Sequence, residues 1–288
     1  MSILKKQLYP EYVMKMRTNH KKKLPITIIL MFLVLLSACG SNSSSISNNV
    51  QPPDDEVDAR PENPLSIVKQ SSDKNNGSGK TIYLTFDDGP SSATPDILDT
   101  LKLFDAKATF FMLEPKMKES PDLVKRIVDE GHAVALHGVT HNKHRFYLSE
   151  QTALDEMDQA QHTLKEITGI TSDLIRTPYG SIPYLTDSYR KVLDDNGYKL
   201  WDWNVDSSDW SSSNAEFIES TISQINRLEK GDVTPIVLMH DVSETASHLI
   251  NLLTYLQKEG FVTKTLDSSL EPYNFNCYDR CKRVSIES

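Results

Sequence analysis

What the chain lacks is the first guide to its class. Three cysteines in 288 residues are too few to staple a fold, so the 38% hydrophobic content must supply a conventional core. It lacks a confident membrane span, because the one long apolar run, Leu24–Leu36, is too short. It lacks positive charge in its body. Residues 1–38 hold seven Lys/Arg and one Glu, so the remainder carries 24 basic against 39 acidic side chains, a net −15. An acidic body argues against nucleic acid or an anionic surface as partner. It lacks internal repeats, and the stretch Gly40–Gly79 lacks any aromatic residue.

The last two features set the N-terminal organisation. Lys21-Lys22-Lys23 before Leu24–Leu36 forms the basic and apolar regions of a secretory signal. Its end, Leu36-Ser37-Ala38-Cys39, resembles the lipobox of bacterial lipoproteins. Residues 1–39 are therefore expected to be a lipoprotein signal peptide, with Cys39 as the lipidated residue. Met14 and Met16 would each start a more typical signal. Residues 40–79, rich in Ser, Asn, Asp and Pro, cannot bury enough apolar surface to order themselves and read as a tether. A coil of about 40 residues reaches roughly 35 Å. The domain is thus expected at the outer face of a cell membrane, lipid-anchored. Near the other end, Cys277 and Cys281 lie four apart in residues 271–288, a C-terminal tail. A disulfide, a two-thiol metal clip and two free thiols all fit that spacing.

Between them, residues 80–270 alternate strand and helix patterns. Thr81–Phe86 alternates β-branched and aromatic residues and stops at Asp87-Asp88-Gly89-Pro90. Further strands are expected at Ala108–Leu113, Ala133–Leu136, Leu174–Ile175, Tyr198–Val205, Pro235–Met239 and Phe261–Lys264. Thr94-Pro95-Asp96 and Ser120-Pro121-Asp122 open helices, and Ser149 caps a long one ending at Gly169. Strict βα alternation implies parallel strands with helices outside. About seven such units suit an α/β fold, either an incomplete (β/α) barrel or a doubly wound sheet.

On that scaffold the polar residues choose one rim. Asp87 and Asp88 follow the first strand, and His137 ends the third with His141 beyond it. Arg176 ends the fourth, Asp206 and Asp209 follow the fifth, and His240 ends the sixth. The C-terminal rim of parallel strands is where such folds place chemistry. Alone, Asp87–Pro90 also reads as a polar turn, and His-x-x-x-His also reads as two surface histidines. Taken together, Asp88, His137 and His141 offer two nitrogens and one oxygen with open positions, a catalytic type of metal set. One helical turn would bring the two histidines to one side. Zinc suits these ligands best, and cobalt, nickel or manganese also accept them. Asp87 is then the free base, which Arg176 can hold ionised. His240 is the general acid, with Asp209 orienting it and raising its pKa.

Five stretches in this order resemble the NodB-type polysaccharide deacetylases, carbohydrate esterase family four, over roughly Lys80–Leu266. They are Thr85–Pro90, His137–His141, Arg176-Thr177-Pro178-Tyr179-Gly180, Asp206-Ser207-Ser208-Asp209-Trp210 and Leu238-Met239-His240. The resemblance implies a deformed (β/α) barrel and a metal-dependent hydrolase that removes N-acetyl groups from a polysaccharide. It assigns the base to Asp87 and the metal to Asp88, His137 and His141. Arg176 would position the base, and the Tyr179 N–H would hold the oxyanion. Trp210 would wall the groove, Leu238 would meet the acetyl methyl, and His240 tuned by Asp209 would be the acid. The implied partner is a cell-wall glycan, foremost the N-acetylglucosamine of peptidoglycan and next a chitin-like polymer. The alternatives are an O-acetyl polysaccharide esterase, or a wall-binding protein without turnover, on the same fold. One departure stands out. The family has Ser or Thr after the first histidine where this chain has Gly138. A missing hydroxyl would loosen the metal loop, so Gly138→Ser is expected to tighten metal binding.

Overall fold

The computed structural model describes residues 79–211 and 215–284. The expectations for residues 1–39, for Cys39 and for nearly all of the tether lie outside them. Among the described residues no helix is long and apolar enough to cross a membrane.

The central strand is β1, Lys80–Gly89. Its even positions Ile82, Leu84 and Phe86 are wholly buried in the larger core, between sheet and helices. Its odd positions Tyr83, Thr85 and Asp87 face the other way, because successive strand side chains alternate. The strand stays parallel to all three of its neighbours. β2 is Thr109–Met112, β3 Ala133–Leu136, β4 Leu174–Ile175 and β5 Lys199–Leu200. β6 is Val205–Asp206, β7 Ile236–His240 and β8 Phe261–Lys264. The sheet order is β5-β4-β3-β2-β1-β7-β6, with β8 pairing the first half of β1. Phe86 stacks on Phe110 across β1 and β2, ring centroids 5.1 Å apart. Each such ring removed from water contributes about 1.5–3 kcal/mol.

The expected strand Tyr198–Val205 is in fact two. β5 joins β4 at one edge of the sheet, and β6 joins β7 at the other. Only residues 201–204 separate β5 from β6, and a chain that short reaches no more than roughly 17 Å. The two edges must therefore curl toward each other, leaving a gap of a few strand spacings at about 4.8 Å each. The result is a deformed, incomplete (β/α) barrel, as expected, with eight strands among the described residues. Its interior holds a second, smaller core of Tyr83, Phe111, Ala135, Leu174, Trp201, Ile236 and Leu266. Trp201 follows β5, and its large ring turns into that interior, where it is 2% exposed.

Helix signals mostly fall where the residues placed them. Ser149 caps Glu150–Thr168 with a capping box, and Gly169 ends that helix in the left-handed conformation. Thr94 opens the helix Thr94–Leu103, but its hydroxyl accepts from the Ser91 N–H instead of capping the helix. A helix at Glu114–Glu119 had no advance signal beyond Pro115 in its first turn.

Candidate active site and metal centre

Two adjacent acids on a regular strand would point to opposite faces. Here the register between β1 and β2 shifts between Asp87 and Gly89, so Asp88 is the extra residue of a bulge. Its φ of 69° is left-handed, a conformation that Asp tolerates better than most residues. The bulge re-aims Asp88, so both carboxylates reach the same end of the barrel. Asp87 Oδ1 receives Arg176 Nη1 at 2.7 Å, and its Oδ2 lies 3.8 Å from His137 Nε2. Asp88 Oδ1 lies 3.4 Å from His137 Nε2 and 3.4 Å from His141 Nε2.

The two histidines do not sit on a helical turn, contrary to expectation. His137 ends β3, and residues 138–142 are an irregular loop in which Gly138 has φ 84° and His141 φ 42°. Two left-handed residues fold the chain back sharply enough to bring the imidazoles together, ring centroids 5.2 Å apart. The loop is braced by Glu156, a buried acid on the long helix. Its Oε2 accepts from the Val139 and Thr140 N–H groups at 2.9 Å each, and its Oε1 from the Thr140 hydroxyl at 2.7 Å. That carboxylate gives the Gly138 position a different reading from the one expected. A Cβ on Gly138 would lie 3.1 Å from Glu156 Oε2 and 3.4 Å from the Phe146 ring, on a backbone that disfavours any side chain. A side chain there would press on the Glu156 carboxylate.

His137 Nδ1 donates to the Arg176 carbonyl at 2.7 Å, which fixes the tautomer and turns Nε2 toward Asp88. Burial, with His137 beside it, pushes the His141 pKa down and favours the neutral imidazole that a metal requires.

Arg176 is fully buried. Its Nη1 also donates to Thr85 Oγ1 at 2.8 Å, Nε to the Trp201 carbonyl at 3.0 Å and Nη2 to the Asp202 carbonyl at 3.2 Å. The guanidinium lies 4.1 Å from the Phe111 ring centroid. A buried cation needs that many partners. Its geometry leaves one productive contact, the carboxylate of Asp87.

His240 ends β7 directly beside Asp87, its register partner. Asp209 Oδ1 takes His240 Nδ1 at 2.8 Å, and Asp209 Oδ2 takes the His240 N–H at 2.7 Å and the Thr245 hydroxyl. Burial opposes charge on His240, yet the Asp209 hydrogen bond and the Asp87 and Asp88 charges lift its pKa to about 9. Burial likewise opposes charge on Asp209, but His240 outweighs it and holds that carboxyl below the usual range.

Leu238 is buried on β7, on the same strand face as His240. Tyr179 is half exposed with φ 67°. Its ring lies 4.8 Å from that of His141, and its hydroxyl donates to the His141 carbonyl at 3.0 Å. Trp210 is 69% exposed and projects from the loop after β6. Four supporting residues have no role assigned from the sequence: Thr85, Glu156, Asp202 and Thr245. Glu156 carried a signal, since it shares a helix face with Ala153, Met157 and Ala160. An acid in an apolar stripe is there for a partner.

The donor set fits a metal ion. Asp88 Oδ1 is buried and has no hydrogen-bond partner, which is costly unless something else satisfies it. One ligand atom from each of Asp88, His137 and His141 lies within 4.8 Å of the others. Bonds of 2.0–2.1 Å in a tetrahedral zinc site put ligand atoms roughly 3.4 Å apart, which is the Asp88–His separation seen here.

At the C-terminal mouth of this parallel barrel, an arginine-paired carboxylate and a carboxylate-paired histidine flank three residues that could hold a metal ion. Comparison with known proteins supplies the family. Residues 74–201 match the family described as polysaccharide deacetylase. YheN of Bacillus subtilis is 39% identical over 255 residues, covering 86% of this chain and 90% of that protein. A peptidoglycan-N-acetylglucosamine deacetylase of Bacillus cereus is 37% identical over 201 residues, 68% of this chain and 73% of its own length. The crystal structure of the polysaccharide deacetylase Bc1974 from Bacillus cereus superposes with a TM-score of 0.60 at 35% identity. That match covers 70% of this chain and 99% of the other. The chain belongs to the polysaccharide deacetylase family, hydrolases of the N-acetyl amide bond. Catalysis in this family is metal-dependent.

Proposed function

We propose that the protein removes N-acetyl groups from the N-acetylglucosamine of peptidoglycan, as a lipid-anchored enzyme on the outer face of the cell membrane. The observation that carries the reading is the unpartnered, buried Asp88 Oδ1 facing two imidazole Nε2 atoms. It lies between an Arg-paired carboxylate and an Asp-paired histidine. Relatives named for peptidoglycan N-acetylglucosamine support the substrate. A chitin-like polymer with the same sugar is the next candidate.

Asp88, His137 and His141 would hold one divalent ion, zinc by ligand type. When bound, it supplies Lewis-acid polarisation of the acetyl carbonyl and acidifies water. Asp87 is the base. Arg176 holds it by one oxygen, leaving Oδ2 directed at the metal cluster to take a proton from the attacking water. The Tyr179 N–H donates to the developing oxyanion. Leu238 packs the acetyl methyl, and Trp210 lines the approach of the glycan. His240, kept cationic by Asp209, delivers its proton to the departing sugar nitrogen. Acetate and a free amino sugar result.

The domain plan that goes with this is a signal to residue 39, a tether over 40–79, the catalytic domain over 80–270 and a C-terminal tail over 271–288. Incubation with N-acetylated peptidoglycan fragments tests the proposal by acetate release. Release should require a divalent ion and should exceed release from O-acetylated xylan. Equal release after exhaustive chelation, or release from the ester polymer alone, would overturn it.

A further inference from the structure

The segment after β8 follows an unexpected path. From Lys264 it passes under the barrel, where Leu266 enters the interior core and Leu270 and Tyr273 pack against it. The Leu266 N–H donates to Thr109 Oγ1 at the start of β2. The chain then meets residues 200–203, the stretch that spans the gap between the two sheet edges. The Asp202 N–H donates to the Tyr273 carbonyl at 2.8 Å, and Asn274 Nδ2 to the Leu200 carbonyl at 3.1 Å. Beyond the disulfide Cys277–Cys281, the Lys282 N–H returns to the Pro183 carbonyl at 2.8 Å.

Phe275 is the centre of this arrangement. Its N–H donates to Asp202 Oδ2 at 2.8 Å, and its ring meets Trp203 edge-on at 4.9 Å. The wholly buried Asp202 carboxylate also accepts the Ser181 N–H at 3.0 Å and the Ser181 hydroxyl at 2.5 Å. One carboxylate thus joins Phe275 to the end of the loop that begins at Arg176. Gly180 closes the contact from above. It has φ 75°, and a Cβ there would lie 2.8 Å from Trp203 and 3.5 Å from Phe275. Directly before Gly180 is Tyr179, whose ring and hydroxyl rest on His141.

We infer that Tyr273–Phe275 is a positioning strap of the active site: through Asp202 and Trp203 it sets loop 177–180, and through Tyr179 it sets His141. The catalytic domain then extends past residue 270 to the disulfide-closed turn. Phe275 and Asp202 are positioning residues, since neither touches the reacting atoms. The inference rests on the reading of His141 and Tyr179 given above.

The test uses the mature protein stripped of metal and titrated with cobalt, alongside Phe275→Ala, Phe275→Leu and Phe275→Tyr. The dissociation constant is the key readout, because a misfolded fraction lowers the amount of metal bound but not the affinity of the rest. Phe275→Ala and Phe275→Leu should bind cobalt about tenfold more weakly, as when an outer partner of a ligand is lost. At saturating metal both should lose kcat. Phe275→Tyr, which keeps the ring, should stay near wild type in both. Should Phe275→Ala fail to fold, Phe275→Leu decides, since it keeps apolar volume without the ring. Wild-type affinity and kcat in the Leu variant would overturn the strap. A wild-type protein that takes up no cobalt would instead refute the metal reading itself.

Discussion

Replacing Gly138 by serine tests the metal loop most sharply, because the family pattern and the structure predict opposite signs. If the loop lacked a bracing hydroxyl, serine would supply it and metal would bind more tightly. The backbone at 138 has φ 84°, which costs a side chain about 1–2 kcal/mol. The new Cβ would also press on Glu156 Oε2 at 3.1 Å. That oxygen cannot retreat freely, as it holds the Val139 and Thr140 N–H groups at 2.9 Å. Losing one such hydrogen bond to a charged acceptor costs about 1.5 kcal/mol more. The loop between the two histidines would therefore be destabilised by roughly 3 kcal/mol. If half of that is expressed in binding, affinity falls by about tenfold. A competition titration of the metal-free protein against a chromogenic chelator measures this, with acetate release at limiting and saturating ion beside it. The Gly138→Ser protein should bind more weakly and regain most activity at saturation. Equal or tighter binding would refute the account of Glu156 as the brace and of Gly138 as a conformational requirement.

Other consequences follow from the same geometry. Asp87→Asn should abolish acetate release while metal content stays near one ion, whereas Asp88→Ala should lose both, as metal analysis of the two proteins would show. With its pKa raised to about 9, His240 stays protonated through neutral pH, so kcat/KM should fall only as pH rises through about 9. Asp209→Asn removes the partner that raises it, so that limb should move toward about 6.5, the ordinary histidine value, and activity at pH 8 should drop. The same sign applies to folding: the His240–Asp209 pair stabilises fully below about 6.5 and loses its contribution as pH climbs through the raised value. Cys39→Ala should shift the protein from the membrane fraction to the medium or leave its signal uncleaved; unchanged processing and retention would show that the lipobox is coincidental.

The residues proposed to do the chemistry are readable because each stands at a strand end with its own local cue. Asp87 and Asp88 close an alternating strand at Gly-Pro, and His240 ends an apolar run. Alternating β-branched and aromatic residues over Thr81–Phe86 make β1 legible without any partner. The helix caps at Ser149 and Gly169 were equally local. The histidine loop is not legible locally: i, i+4 spacing suggests a helical turn, while Gly138 and His141 take left-handed φ in a loop held by a carboxylate 18 residues beyond Gly138, at Glu156. Tyr198–Val205 suggests one strand because Tyr198, Trp201, Trp203 and Val205 are all residues that favour a sheet. Nothing local says that Trp201 turns inward and that Val205 joins the opposite edge.

Sequence alone determined the parallel α/β class, most of the order of its elements and which polar residues gather at one rim. These follow from periodicity, caps and residue type, all of which act within a few positions along the chain. Tertiary structure alone decided three things. A bulge turns two adjacent carboxylates to one side, Glu156 occupies the space beside Gly138, and the segment after β8 returns to the gap between β5 and β6. Each depends on groups far apart in sequence meeting in a buried space. There a hydrogen bond or a clash outweighs local preference, because the interior leaves no water to substitute.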